Sequence, residues 1–183
     1  MGCALNLGYA WVMERSTLIP VEEYLSTSYR PDREYVDGTL VERNVGEWNH
    51  SKLQMFVSAY LYNRRQELGI HVVPEQRVQV KPTRFRVPDV CVVVGNEPRE
   101  QILTSPPFLC VEILSKDDRM SEMQERIDDY LSFGVRSVWV IDPRTKRAYL
   151  HTSEGIRETK DALQTQNPDI VVPLDELFAQ SGG

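Results

Sequence analysis

Cysteine and histidine are scarce in this chain, with three of each among 183 residues. Cys3, Cys91 and Cys110 are too few and too far apart for a zinc knuckle. Their odd number suits a reducing compartment, so a cytoplasmic protein is expected. No apolar run approaches the roughly 20 residues that a membrane-spanning helix needs. The segment Met1–Met13 is apolar but has no basic region ahead of a long apolar core, so it reads as a ragged start and not as a signal peptide. Asn6 stands where a myristoylation signal would carry Ser or Thr. Basic residues are also in deficit, 21 against 27 acidic ones, for a net charge of −6. That balance disfavours indiscriminate binding to nucleic acid and leaves room for a local basic groove.

With repeats, linkers and low-complexity tracts also missing, the chain reads as an N-terminal extension over 1–19 and a single α/β domain over 20–183. Pro20 to Tyr24 has the pattern of a first helical turn, with Thr17 as its cap. Asp37-Gly38 between two short runs signals a tight hairpin, because both residues tolerate positive φ. Glu34 and Glu42 on those runs read as solvent-facing. Apolar residues at three- and four-residue intervals predict a helix from about Glu47 to Leu68, ended by Gly69. Ile70 to Val80 reads as one extended segment, followed by a basic turn, Lys81 to Arg86. A second helix opens at Ser115–Arg119, carries the stripe Met120, Met123, Ile127, Tyr130 and Leu131, and ends at Gly134. Arg136–Ile141 and Arg147–His151 form a hairpin pattern, and the tail reads as a strand and a short helix. Three strands in succession before the second helix break simple βαβ alternation, so a mixed sheet flanked by helices is expected.

Two short, strongly apolar runs, in Arg86–Val94 and Phe108–Leu114, each carry one carboxylate: Asp89 at the start of the first and Glu112 late in the second. A carboxylate taken out of water must be paired, hydrogen-bonded, protonated or bound to a metal. Asp89, Cys91 and Val93 share one face of their strand; Cys110, Glu112 and Leu114 share one face of theirs. If the strands are neighbours in suitable register, both acids meet on one side of the sheet. Two such hard oxygen donors suit Mg²⁺ or Mn²⁺ better than zinc. A cation beside them would stabilise negative charge on an attacked phosphate. Lys116 and Arg126 are nearby in sequence, and periodicity favours Arg126.

Pro88-Asp89, Glu112-Ile-Leu-Ser115, Asp118-Arg119, Tyr130-Leu, Gly134-Val135 and Val138-Trp-Val-Ile-Asp-Pro143 together resemble the Uma-type family of endonuclease-like proteins. That family lies within the PD-(D/E)XK nuclease superfamily. The similarity extends to Glu34-Tyr-Val-Asp-Gly38, His50 and the Pro-Leu-Asp-Glu-Leu-Phe178 tail. It implies a restriction-endonuclease-like core, a central mixed β-sheet flanked by α-helices, with Asp89, Glu112 and the carbonyl of Ile113 as metal ligands. Glu75, His50 and Lys116 would be auxiliary. The superfamily's lysine two residues after the second acid is Leu114 here; in Uma-type sequences it has moved to the following helix, where this chain has Arg126. An Arg126→Lys change is therefore expected to maintain or raise activity. The implied function is Mg²⁺-dependent hydrolysis of DNA phosphodiester bonds, with a homodimer as the assembly. The alternative is a degenerate nucleic-acid-binding module on the same fold. Lys81, Arg84, Arg86 and Arg119, with Lys116, would form a phosphate-facing patch if the basic turn and the second helix converge.

Overall fold

The computed structural model describes residues 18–43 and 47–179. Cys3, Thr17 and most of the N-terminal extension lie outside them. Helix α1 (Val21–Ser26) begins behind Pro20 and buries Tyr24. Strands β1 (Glu34–Val36) and β2 (Thr39–Val41) form the expected hairpin, with Asp37 at φ 48° and Gly38 at φ 95° in the two-residue turn. Ile19 already docks on it, donating its amide to the Gly38 carbonyl at 2.9 Å.

The predicted first helix divides into α2 (Trp48–Asn63) and α3 (Arg65–Leu68), and Gly69 closes it at φ 63°. The predicted extended segment also divides. At Glu75 the backbone takes φ 53°, so β3 (Ile70–Pro74) and β4 (Val78–Lys81) enter different sheets. The basic turn proves to be the tip of a hairpin between β4 and β5 (Arg84–Arg86). Then follow β6 (Val90–Val94), β7 (Leu109–Ile113), α4 (Met120–Phe133), β8 (Ser137–Asp142), β9 (Arg147–Thr152) and β10 (Gly155–Thr159). The chain ends in β11 (Ala162–Gln164), β12 (Val171–Pro173) and α5 (Leu174–Ala179).

The central sheet has six strands in the order β10-β9-β8-β7-β6-β3 and is mixed: β7 and β8 are parallel, the other pairings antiparallel. Alternation along its strands separates two cores. Val90, Val92, Leu109, Val111 and Ile113 pack with Leu53, Val57 and Leu61 of α2 and with the tail. Cys91, Cys110, Val138 and Val140 face the other way, onto Met123, Ile127 and Tyr130 of α4 and onto β4. A second sheet, β2-β1-β5-β4, was not foreseen. Lys81 and Arg84 through Arg86 are among its building blocks, and it brings Glu34 of β1 to Arg126 of α4.

The β8–β9 turn is capped by Asp142, which accepts the Arg144 amide at 2.9 Å and the Thr145 hydroxyl at 2.9 Å. Burial pushes this carboxyl up, but those hydrogen bonds outweigh it and hold the group below its usual range. Its ionised form is thus favoured by folding. The stabilisation is present above the unfolded carboxyl's pKa and is lost as pH falls through the lower folded value. Asp142→Ala should cost about 1–2 kcal/mol at neutral pH, measured by urea unfolding. The gap to wild type should close below about pH 4, and a gap independent of pH would rule out the cap.

Candidate active site

The register of β6 and β7 decides where the two acids go. Cys91 pairs with Cys110 and Val90 with Val111, so one further step along the antiparallel ladder sets Asp89 opposite Glu112, on the α4 side of the sheet. Both are almost fully buried, at 4% exposure each. Glu112 accepts the Tyr130 hydroxyl on Oε1 at 2.7 Å. Burial first, then the charge of Asp89, pushes the Glu112 carboxyl up to about 8, against the opposing pull of Arg126. Two buried carboxylates that face each other call for a proton or a cation between them. Tyr130→Phe removes one partner of this buried carboxyl, and should lower stability by about 1–2 kcal/mol in urea unfolding. An unchanged midpoint would mean that the hydroxyl carries no share of the site's order.

Asp89 is held on both oxygens. Arg43 Nη2 donates to Oδ1 at 2.9 Å, the Ile113 amide donates to Oδ2 at 2.7 Å, and His50 Nε2 lies 3.2 Å from Oδ2. Burial would lower the His50 pKa, but its hydrogen bond to Asp89 and that residue's charge raise it above the ordinary value. Glu75 is half exposed and reaches the site through Arg43, whose Nη1 is 3.4 Å from its Oε1. Gln54 of α2 ties the Asp89 carbonyl at 3.0 Å. Arg43, His50, Asp89, Glu112, Asp118 and Arg126 border a small cavity of about 20 Å³. That is room for one water-sized body.

Leu114, where the resemblance read from the sequence would place a lysine, is buried in the core under α4. Arg126, one turn before Tyr130 on the buried side of α4, is the helix cation at the cavity. Its Nε donates to Glu34 Oε2 at 3.1 Å, and its Nη1 is 3.9 Å from Asp118 Oδ1. Burial works against its charge, and Glu34 and Glu112 restore it. Glu34, expected to face solvent, is instead 1% exposed, while Glu42 is exposed as expected.

The basic turn and α4 do converge, through acids of the helix. Arg86 is buried between Glu34 Oε2 at 2.8 Å and Asp129 Oδ2 at 2.7 Å. Arg84 pairs with Asp37, Glu125 and Asp129, and Lys81 with Asp129 at 2.8 Å. These three cations are therefore neutralised within the fold, and Arg86 in particular presents no phosphate-facing surface. Lys116 and Arg119 are exposed at the start of α4; the Lys116 amide reaches Glu47 at 3.4 Å and Arg119 lies 3.7 Å from Glu122.

Sequence reasoning had no role for Arg43 and left Glu34 on the surface. Each meets its partners across more than 40 residues of chain, 46 for Arg43 to Asp89 and 92 for Glu34 to Arg126, so no local pattern announces the contact. Tyr130 stood in an apolar stripe and in a family motif with no role given to its hydroxyl, which is the part that matters here.

The donor set suits one hard cation. Each carboxylate oxygen has about two acceptor sites, so Asp89 Oδ1 and Glu112 Oε1 each retain capacity beside Arg43 and Tyr130. Among the described residues no group of three or more His, Cys, Asp or Glu is arranged to hold a metal ion. The protein side thus offers two facing carboxylates, and further positions would fall to backbone, water or substrate oxygens, as Mg²⁺ commonly accepts.

A family model, Uma2, described as "Putative restriction endonuclease", matches residues 21–179. The crystal structure of a "putative nuclease belonging to DUF820" from Anabaena variabilis is similar in fold, with a TM-score of 0.77 at 19% sequence identity, covering 87% of this chain and 97% of that one. No curated protein matches the chain. The expected architecture, a central mixed sheet flanked by helices, is the one found. Among the described residues no helix is long and apolar enough to cross a membrane.

Proposed function

The chain belongs to the Uma2 family, and from that premise we propose that it is a Mg²⁺-dependent endonuclease hydrolysing DNA phosphodiester bonds at the Asp89–Glu112 cavity. The single observation carrying this reading is the pair of buried carboxylates facing each other across β6 and β7, beside a buried cation and a cavity of ionic size. Asp89 and Glu112, with the Ile113 carbonyl, would hold Mg²⁺ or Mn²⁺. When bound, the ion supplies charge to a phosphate oxygen and acidity to a water.

The chain's own residues do the rest. Arg126 stays charged and cannot serve as a base, so its part is to stabilise the negative charge that develops on the attacked phosphate. His50 and Arg43 fix the orientation of Asp89, and Tyr130 fixes that of Glu112. Lys116 and Arg119, at the exposed start of α4, are the cations left to meet the DNA backbone. Two copies of the site would be needed to cut both strands, and a homodimer is the assembly that brings them. Incubation of duplex and single-stranded DNA with Mg²⁺ or Mn²⁺ tests the reading: metal-dependent cleavage is expected, and salt-sensitive binding without cleavage across several divalent ions would replace it.

That replacement has an observation of its own. Asp89 is already neutralised internally by Arg43 and His50, which is what a nucleic-acid-binding module that had given up its metal would also need.

A further inference from the structure

Glu34 is a carboxylate that the fold has hidden at some expense. It sits on β1, in the second sheet, yet is 1% exposed and surrounded by three donors. Oε1 accepts the Val87 amide at 3.1 Å, while Oε2 accepts Arg86 Nη1 at 2.8 Å and Arg126 Nε at 3.1 Å. Burying such a charge costs several kcal/mol, and removing it would strand two guanidinium groups.

The geometry of the contact matters more than its energy. A guanidinium is planar, so a hydrogen bond at Nε sets the plane of the whole fork. With Nε turned to Glu34, the outer nitrogens of Arg126 are left towards the cavity, where Nη1 lies 3.9 Å from Asp118 Oδ1. Glu34 is itself braced. Arg86 joins it to Asp129, which stands one turn beyond Arg126 on the same helix and also binds Lys81 and Arg84. The brace therefore fixes both ends of the contact, strand and helix, relative to each other.

We propose that Glu34 is a positioning residue, which aims the Arg126 guanidinium into the Asp89–Glu112 cavity by fixing its Nε and braces it from the second sheet. The proposal rests on Arg126 serving that site. It also explains how an arginine stands where the family's helix lysine is expected: the longer side chain is pulled back by a carboxylate so that its fork, and not its stem, meets the cavity.

The test is Glu34→Asp, which withdraws the carboxylate by about 1.5 Å and keeps its charge near Arg86. The variant should fold, retain the Mn²⁺-induced thermal shift, and lose 10- to 100-fold in kcat with KM for DNA changed by less than threefold. Placed in an Arg126→Ala background it should cause no further loss, since its effect runs through Arg126. Losses that multiply would overturn the proposal. A second readout does not depend on cleavage. In a ¹⁵N spectrum of the full chain, the Arg126 Nε–H signal, assigned by its absence in Arg126→Lys, should be slow to exchange, and fast or shifted in Glu34→Asp. An unshifted, equally protected signal would overturn the positioning role even in a protein that proved unable to cut DNA; a lost signal in a non-cutting protein would retain that role and sink only the endonuclease reading. Should Glu34→Asp fail to fold, Glu34→Gln, which preserves the length, carries the same two readouts.

Discussion

Asp89→Asn is expected to lower metal-dependent DNA cleavage by more than about 100-fold, a loss at least as large as that from altering groups around a metal's ligands. The amide keeps the shape of the side chain and an acceptor for the Ile113 amide, so the fold should persist. It removes the charge that is paired with Arg43 and His50. Breaking that buried pairing should cost about 3 kcal/mol, visible in urea unfolding without divalent ions. The Mn²⁺-induced rise in melting temperature should also vanish. Cleavage within tenfold of wild type, in protein purified free of other nucleases, would remove Asp89 from the site.

Arg126→Lys carries the second large effect, and here the contact with Glu34 argues for the opposite outcome to the one expected from sequence. On charge alone the substitution changes nothing, and the resemblance read from the sequence would favour it. In the folded protein it deletes the Nε donor to Glu34 and leaves that carboxylate, at 1% exposure, with one hydrogen bond fewer. A lysine also replaces a fork by a point charge. Cleavage should fall by about 10- to 100-fold, or about 1.4–2.7 kcal/mol of transition-state stabilisation, and stability should fall by about 1–3 kcal/mol from the lost hydrogen bond to a buried carboxylate. Single-turnover rates and urea melts on the same preparation separate the two. Equal or higher activity in the lysine variant would show that charge, not the fork, is what the site uses.

The two substitutions sort the readings of the protein. Loss of cleavage in both points to a site assembled from strand acids and a braced helix cation. Cleavage by neither wild type nor variants, with DNA binding intact, would point to the binding module, and the Arg43–Asp89 pair would then be a permanent feature of the fold. The exposed cations Lys116 and Arg119, and not the buried Arg86, would be the place to look for phosphate contacts in either case.

Much of the fold was legible because its signals are local. Gly69 and Gly134 end their helices at positive φ, Asp37-Gly38 closes a two-residue turn, and the apolar spacing of Leu53, Val57 and Leu61, and of Met123, Ile127 and Tyr130, marks helix faces without reference to anything else. The central strands β6, β7 and β8 are nearly continuous apolar runs, as strands covered on both faces must be. By contrast β10 is exposed for four of its five residues, and nothing in its composition separates it from a loop. The break at Glu75 is a single positive φ at a residue type that gives no warning of it.

By itself, then, the sequence determined an α/β domain, its principal helices and strands, and two acids placed one on each of two buried strands. The family resemblance, which gathers short motifs in order, also stood in the chain before any coordinates. Only the tertiary structure decided the register that sets Asp89 opposite Glu112, the second sheet that carries Glu34 to Arg126, the arrival of Arg43 at Asp89, and the neutralisation of the basic turn by Asp129 and its neighbours. The reason is range. Helix faces and turns are set by neighbours three or four residues apart, whereas a buried charge takes whichever partner the packing of distant elements brings within hydrogen-bonding distance, and that partner has no fixed spacing in the chain.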